Sequence, residues 1–335
     1  MKPTLQTGIM ILFFTALCIS LQAQDEPALN TLPQNIYGRV FSNFSLPMDN
    51  GNRSGAFELT RAYFGFEQRL NDHFTASVKL DVGSPDDLSE FSRLRRYAYF
   101  KNAGITYRNG PLIIWGGLFD MVQFKEQEKF WNYRYLYRSF LDEYRFGPSA
   151  DLGAGIRYNL GPRLITDLIF SNGEGYSSPQ RDDQYKAGWG LTFRPSEQFT
   201  LRSYYTVLTA ATPEMTLTGF VGYNTGKYRI GAEYNHQLNN ENNQGHSRFG
   251  YSIFSTWVFS DQWEIFFRYD QVFSNILPEY AIPWNLPNDG SAMVGGLQYQ
   301  PNDFIRLALN YQDWVEYADN GDTQQTVFLH LEVNF

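Results

Sequence analysis

The sequence predicts an all-β fold, a transmembrane antiparallel β-barrel of about sixteen strands with a long third external loop. Three observations carry this expectation. Polar and apolar residues alternate with a period of two through most of the chain, which places them on opposite faces of strands. After residue 23 no run approaches the roughly 20 apolar residues of a membrane-spanning helix, the longest being Leu112 to Phe119. The polar connections are short and long in turn, as in barrels whose strands cross a bilayer and return.

At the N-terminus Lys2 precedes an apolar stretch from Gly8 to Leu21 and then Leu21-Gln22-Ala23, the order of a secretory signal peptide. Cleavage is expected after Ala23, giving residues 1–23 as signal peptide, 24–33 as a short periplasmic segment and 34–335 as the barrel. Cys18 is the only cysteine and lies inside the signal, so neither disulfides nor a cysteine-ligated metal are expected in the exported chain.

The first strand is expected over Gln34 to Leu46. In Phe74 to Val82, Phe74, Ala76, Val78, Leu80 and Val82 alternate with Thr75, Ser77, Lys79 and Asp81. Leu152 to Leu160, Tyr185 to Phe193, Tyr228 to Tyr234, Trp263 to Tyr269, Ile305 to Tyr311 and Val327 to Phe335 repeat the pattern. Aromatics such as Trp263, Tyr269, Tyr158 and Phe335 end the apolar faces, as an interfacial girdle requires. Short turns at Asn71-Asp72, Arg108 to Pro111, Gly161-Pro162, Pro195 to Glu197, Thr225-Gly226, Ser260 to Gln262 and Pro301-Asn302 are expected to be periplasmic. Eight longer polar connections between them are expected to be external, so both ends face the periplasm.

The longest connection, Asp120 to Ser149, has thirty residues, more than a plain loop needs. Its many aromatics, Trp131, Tyr133, Tyr135 and Phe140 among them, exclude a solvated coil. It is expected to fold inward, with a short helix within Phe124 to Tyr144, and to offer Lys125, Lys129, Arg134 and Arg138 to the narrowest part of a pore. Strand parity adds Arg39, Arg61, Lys79, Asp81, Arg157, Arg202, Arg229, Glu233, Arg268, Asp270 and Arg306 as candidate pore-lining residues.

The chain carries a formal net charge of −8, and loss of Lys2 makes it more negative, which argues against nucleic acid as a partner. The four histidines, His73, His236, His246 and His330, are scattered without metal-ligand spacing, so no metal or cofactor is expected. The terminal pattern Val327, Leu329, Leu331, Val333, Phe335 resembles the signal by which outer-membrane barrels are handed to their assembly machinery.

Gly38-Arg39 in IYGRVFSNFS, Arg61 in FELTRAYFGFEQRL and Asp81 in FTASVKLDVG, in that order, resemble the phosphate-selective porin O/P family. The resemblance implies a sixteen-stranded, usually trimeric, diffusion channel embedded in outer-membrane lipids. Phosphate selectivity is not carried over, because the chain is acidic where phosphate-binding members are rich in lumenal Arg and Lys. The function expected is passive diffusion of small polar or ionic solutes with weak selectivity and no enzymatic turnover. Two rivals stand beside it: a closed barrel whose loops bind a surface or another protein, and an outer-membrane hydrolase built on His236 or His246.

Overall fold

The computed structural model describes residues 34–48, 55–83, 97–318 and 323–335. The expected signal peptide and the segment 24–33 lie outside the described residues, as do the second long connection and parts of the first and eighth.

Sixteen strands form one sheet: β1 (Gln34–Pro47), β2 (Ala56–Arg69), β3 (Phe74–Gly83), β4 (Tyr97–Asn109), β5 (Leu112–Asp120), β6 (Ala150–Asn159), β7 (Leu164–Ser171) and β8 (Lys186–Phe193). The second half comprises β9 (Phe199–Leu208), β10 (Glu214–Asn224), β11 (Tyr228–Leu238), β12 (Arg248–Ser260), β13 (Trp263–Ser274), β14 (Gly290–Asn302), β15 (Ile305–Glu316) and β16 (Thr323–Asn334). Each pairs antiparallel with its neighbours in sequence, and β1 closes the barrel on β16. Closure removes every sheet edge, so each backbone donor and acceptor in the wall finds a partner without water.

Local chemistry fixes the short turns at one end. Asn71 Oδ1 accepts the backbone N–H groups of His73 and Phe74, both at 2.9 Å. Asn302 Oδ1 accepts those of Phe304 and Ile305 at 2.9 and 3.0 Å. Such Asx contacts turn the chain within two or three residues. Among the described residues, the longer connections lie at the other end.

Alternation sorts the two faces of the wall. On β7, Leu168 and Phe170 are about half exposed, whereas Asp167, Ile169 and Ser171 are buried. Outward apolar side chains continue around the barrel through Trp189, Leu217, Ile253, Leu309 and Leu329. Aromatic pairs mark the two rims of this band. Trp263–Tyr299 and Phe199–Tyr223, with ring centres 4.5 and 4.7 Å apart, sit beside short turns, and Phe170–Tyr185 and Phe249–Phe273 sit near the long loops. An apolar belt between aromatic girdles is what a bilayer-spanning barrel needs.

At the seam, Gly38 and Phe335 exchange both backbone hydrogen bonds, at 2.6 and 2.9 Å. The Phe335 ring lies over Gly38, where a Cβ would come within 2.4 Å of it. Gly38→Val is therefore expected to expel the ring and lower the yield of heat-modifiable barrel, and deletion of Phe335 is expected to do the same. Unchanged yield in both variants, read by gel mobility before and after heating, counts against this role.

Candidate functional site

The chain between β5 and β6, residues 121–149, lies within the barrel and carries two short helices, α1 (Lys125–Trp131) and α2 (Phe140–Glu143). Asn132, in the left-handed region with φ 63°, ends α1 and turns the chain across the lumen. Aromatic burial fixes the segment. Phe130 packs edge-on to Phe220 of β10, Trp131 meets Phe254 of β12 and Phe266 of β13, and Tyr135 reaches Phe41 of β1. Tyr144 lies against Trp314 of β15. Gly222 makes room for this, since a Cβ there would lie 2.4 Å from the Phe130 ring.

Wall side chains donate to loop carbonyls, and all of these but Val122 O have no helical or ladder partner. Arg202 donates to Val122 O at 3.0 Å, Arg268 to Arg138 O at 2.7 Å, and Arg306 and Gln312 to Asn132 O and Leu136 O, each at 3.3 Å. Buried carbonyls in irregular chain need such donors. The loop consequently covers the lumenal side of β9 to β16 and leaves its open flank facing β1 to β4.

Two spaces remain, the inner one along that flank and the outer one bordered by strands around the barrel. An external vestibule of about 1430 Å³ and an inner chamber of about 270 Å³ share Ser149 in their linings. Two ion pairs straddle the boundary, each with one member in either space: Lys101–Asp81 at 4.0 Å and Arg134–Asp142 at 3.0 Å. Arg61 pairs with Asp81 at 3.5 Å, Lys79 with Asp120 at 2.9 Å, and Lys125 with both Asp120 and Glu128 at 3.4 and 3.2 Å. Arg134 also meets Glu128 at 3.2 Å. The constriction between the two spaces, meaning the border that their linings share, thus carries five cations, Arg61, Lys79, Lys101, Lys125 and Arg134, and four carboxylates, Asp81, Asp120, Glu128 and Asp142.

The candidates named from sequence fall into three groups. Arg39, Arg61, Lys79, Asp81, Lys125 and Arg134 line one of the two spaces around the constriction, and Arg138, paired with Glu143 at 2.9 Å, lines the vestibule. Arg202, Arg229, Glu233, Arg268, Asp270 and Arg306 lie on the lumenal face but border neither space, because the loop covers them. Arg202 and Asp167 form a two-pronged pair, both contacts at 2.9 Å, and Arg229 sits 5.5 Å above the Tyr133 ring. Arg157 and Lys129 border neither space; Lys129 is exposed on α1 and joins no ion pair among the described residues.

Lys101 and Tyr176 escaped the sequence reading. The β3–β4 register slips between Lys79 and Leu80, so Lys101 occupies a bulge and breaks strict parity. Tyr176 comes from the connection after β7, whose Gly/Ser-rich sequence has no periodicity. That loop is held by buried Asp151, which accepts the N–H groups of Gly173 and Gly175 at 2.5 and 3.2 Å. Tyr176 then donates to Asp81 Oδ2 at 2.9 Å, with the Lys101 ammonium 4.7 Å from its ring centre.

Charge in the loop is strongly stabilised. Burial alone raises the Asp142 pKa, but Arg134 and Arg138 outweigh it and hold the carboxyl below the usual carboxylate range. Burial likewise opposes the Lys125 ammonium, and Asp120 and Glu128 outweigh it and raise its pKa. Asp142 therefore supports docking above the ordinary value of about 4, and its support is lost as pH falls through its depressed value. Lys125 gives its full support below the ordinary lysine value of about 10.4, and loses it as pH rises through its elevated one. Loop resistance to protease is expected to stay flat from about pH 5 to about pH 7. A titration step within that range contradicts this network.

Together the closed wall, the outer apolar belt and the infolded loop define a sixteen-stranded outer-membrane barrel of the porin fold. No protein-family model and no curated protein matches the sequence. Solved structures do match. OmpF of Salmonella typhi, in complex with daunomycin, aligns with a TM-score of 0.69 at 13% identity, covering 93% of this chain and all of that one. The anion-selective porin from Comamonas acidovorans aligns at 0.64 and 10%, over 91% of this chain and all of its own. A trimer form of OmpT, an outer-membrane protein of Vibrio cholerae, aligns at 0.61 and 11%, over 91% and 99%.

Proposed function

We propose that the chain is an outer-membrane porin through which small polar or ionic solutes diffuse passively, with weak selectivity and without turnover. What supports this most is a vestibule and an inner chamber that share Ser149 in their linings and are bordered by charges of both signs. Five cations against four carboxylates leave one net positive charge, which salt screens beyond roughly 8 Å under physiological conditions. A slight anion preference follows, and the acidic external connections oppose it.

The test is a planar-bilayer recording of the purified protein with asymmetric salt. Stable ohmic steps with a small reversal potential support the reading. Silence after verified insertion supports the closed, surface-binding barrel instead. Kinship with the phosphate-selective porin O/P family, export by a cleaved signal, delivery by the barrel assembly machinery and assembly as a homotrimer belong to the same proposal. The trimeric neighbour supports the last of these, and crosslinking in intact membranes tests it. The hydrolase reading gains nothing from geometry: His236 packs between Tyr234 and Phe249, whereas His246 meets Trp284 edge-on.

A further inference from the structure

The vestibule wall away from the constriction carries charges that the constriction does not use. Lys186, the first residue of β8, lines the vestibule and is 4% exposed. Among the described residues its ammonium has no hydrogen bond and no ion pair within 4.0 Å. Directly across the ladder, Ser171 is 1% exposed, and its hydroxyl also has no partner among them. A lysine buried along its stem, with its unpartnered ammonium opening on the vestibule, offers its charge to an anion there.

The carboxylates that act on Lys186 are Glu214 and Asp151. Asp151 is already occupied by the N–H groups of Leu152, Gly173 and Gly175. Glu214 also lines the vestibule, and it accepts one backbone N–H, from Glu241 at 2.9 Å. Register places the two charges in one row: Lys186 pairs with Leu208, and Leu208 pairs with Glu214. Two strand spacings separate their backbones by about 10 Å. Both side chains can extend into that gap, which matches a solute whose own charges lie about one or two residues apart, up to about 7 Å when extended.

We propose that this row is a subsite for small zwitterions, an α-amino acid or a dipeptide. The solute carboxylate is taken by Lys186, and its ammonium by Glu214. Phosphate and other dianions are disfavoured because Glu214 repels them. The proposal deepens the channel reading and rests on it for its purpose, since the row lies in the vestibule through which a solute reaches the constriction.

The probe is glycylglycine, titrated calorimetrically into the folded, detergent-solubilised barrel and added on the vestibule side in bilayer recordings. The parent is expected to bind it and to show a matching reduction of current. Lys186→Met should weaken binding about tenfold or more, the scale of a charge-assisted contact. Lys186→Arg should retain most of it. Glu214→Gln should weaken glycylglycine while leaving acetate unchanged. Heat-modifiability and unblocked conductance equal to the parent confirm that each variant is folded. The proposal is overturned if the parent gives no heat, if Lys186→Met binds as the parent does, or if acetate binds as tightly as glycylglycine. A parent that conducts without binding removes the subsite and leaves the channel; one that binds without conducting removes the channel and leaves the subsite.

Discussion

Arg268→Met is expected to destabilise the docked loop by about 3–5 kcal/mol, the scale for breaking a buried pair from one side. Arg268 and Asp270 have side chains only 1% exposed and touch at 2.6 and 2.8 Å. The guanidinium also lies between the rings of Trp131 and Tyr137, at 5.0 and 5.1 Å, and donates to Arg138 O at 2.7 Å. Removing it leaves the Asp270 charge buried with only the Tyr144 hydroxyl, at 3.0 Å, to donate to it. The double variant Arg268→Met with Asp270→Leu should recover most of the loss, since replacing both partners by apolar groups leaves no stranded charge. Protease cleavage within residues 125–144 and thermal unfolding of the barrel read the two variants. A single variant as resistant as the parent would place the anchor elsewhere.

Deleting residues 125–144 is expected to leave the barrel assembled and to raise its conductance several-fold. The strand ladders and the seam do not depend on this segment, whereas Arg134 and Asp142, which straddle the boundary between the two spaces, belong to it. The deletion also removes the loop contacts of Arg268 and Arg306, so ion preference should shift as conductance grows. A deletion variant that inserts normally and matches the parent in both respects means that the loop does not set the flow.

Much of the wall was legible because a period of two needs no context. Leu168 and Phe170 against Asp167 and Ser171, or Phe74 to Val82, can be sorted by counting. The third long connection was legible as a packed segment from its aromatics alone. Its partners were not, because Phe220, Phe254 and Phe266 sit on lumenal positions nearly a hundred or more residues away, and nothing local marks them. The same limit separates Arg61 from Arg268. Both read as arginines on a polar face, yet one borders open space and the other lies beneath Trp131, and only the path of the loop decides which. Lys101 was hidden for a different reason, since a bulge shifts parity without any signature in the residues around it.

The contact between Gly38 and Phe335 bears on how the molecule is put together. Every other ladder joins neighbours in sequence and can zip up as a ribbon of hairpins, with little entropy lost in each closure. The β1–β16 ladder instead stitches together positions such as Arg39 and Asn334, 295 residues apart. It is therefore the slow, non-local event. Until it forms, the ribbon has two bare edges able to recruit strands from other chains. A ring that settles over a glycine at that stitch acts as a latch, and its worth lies in shortening the time spent open.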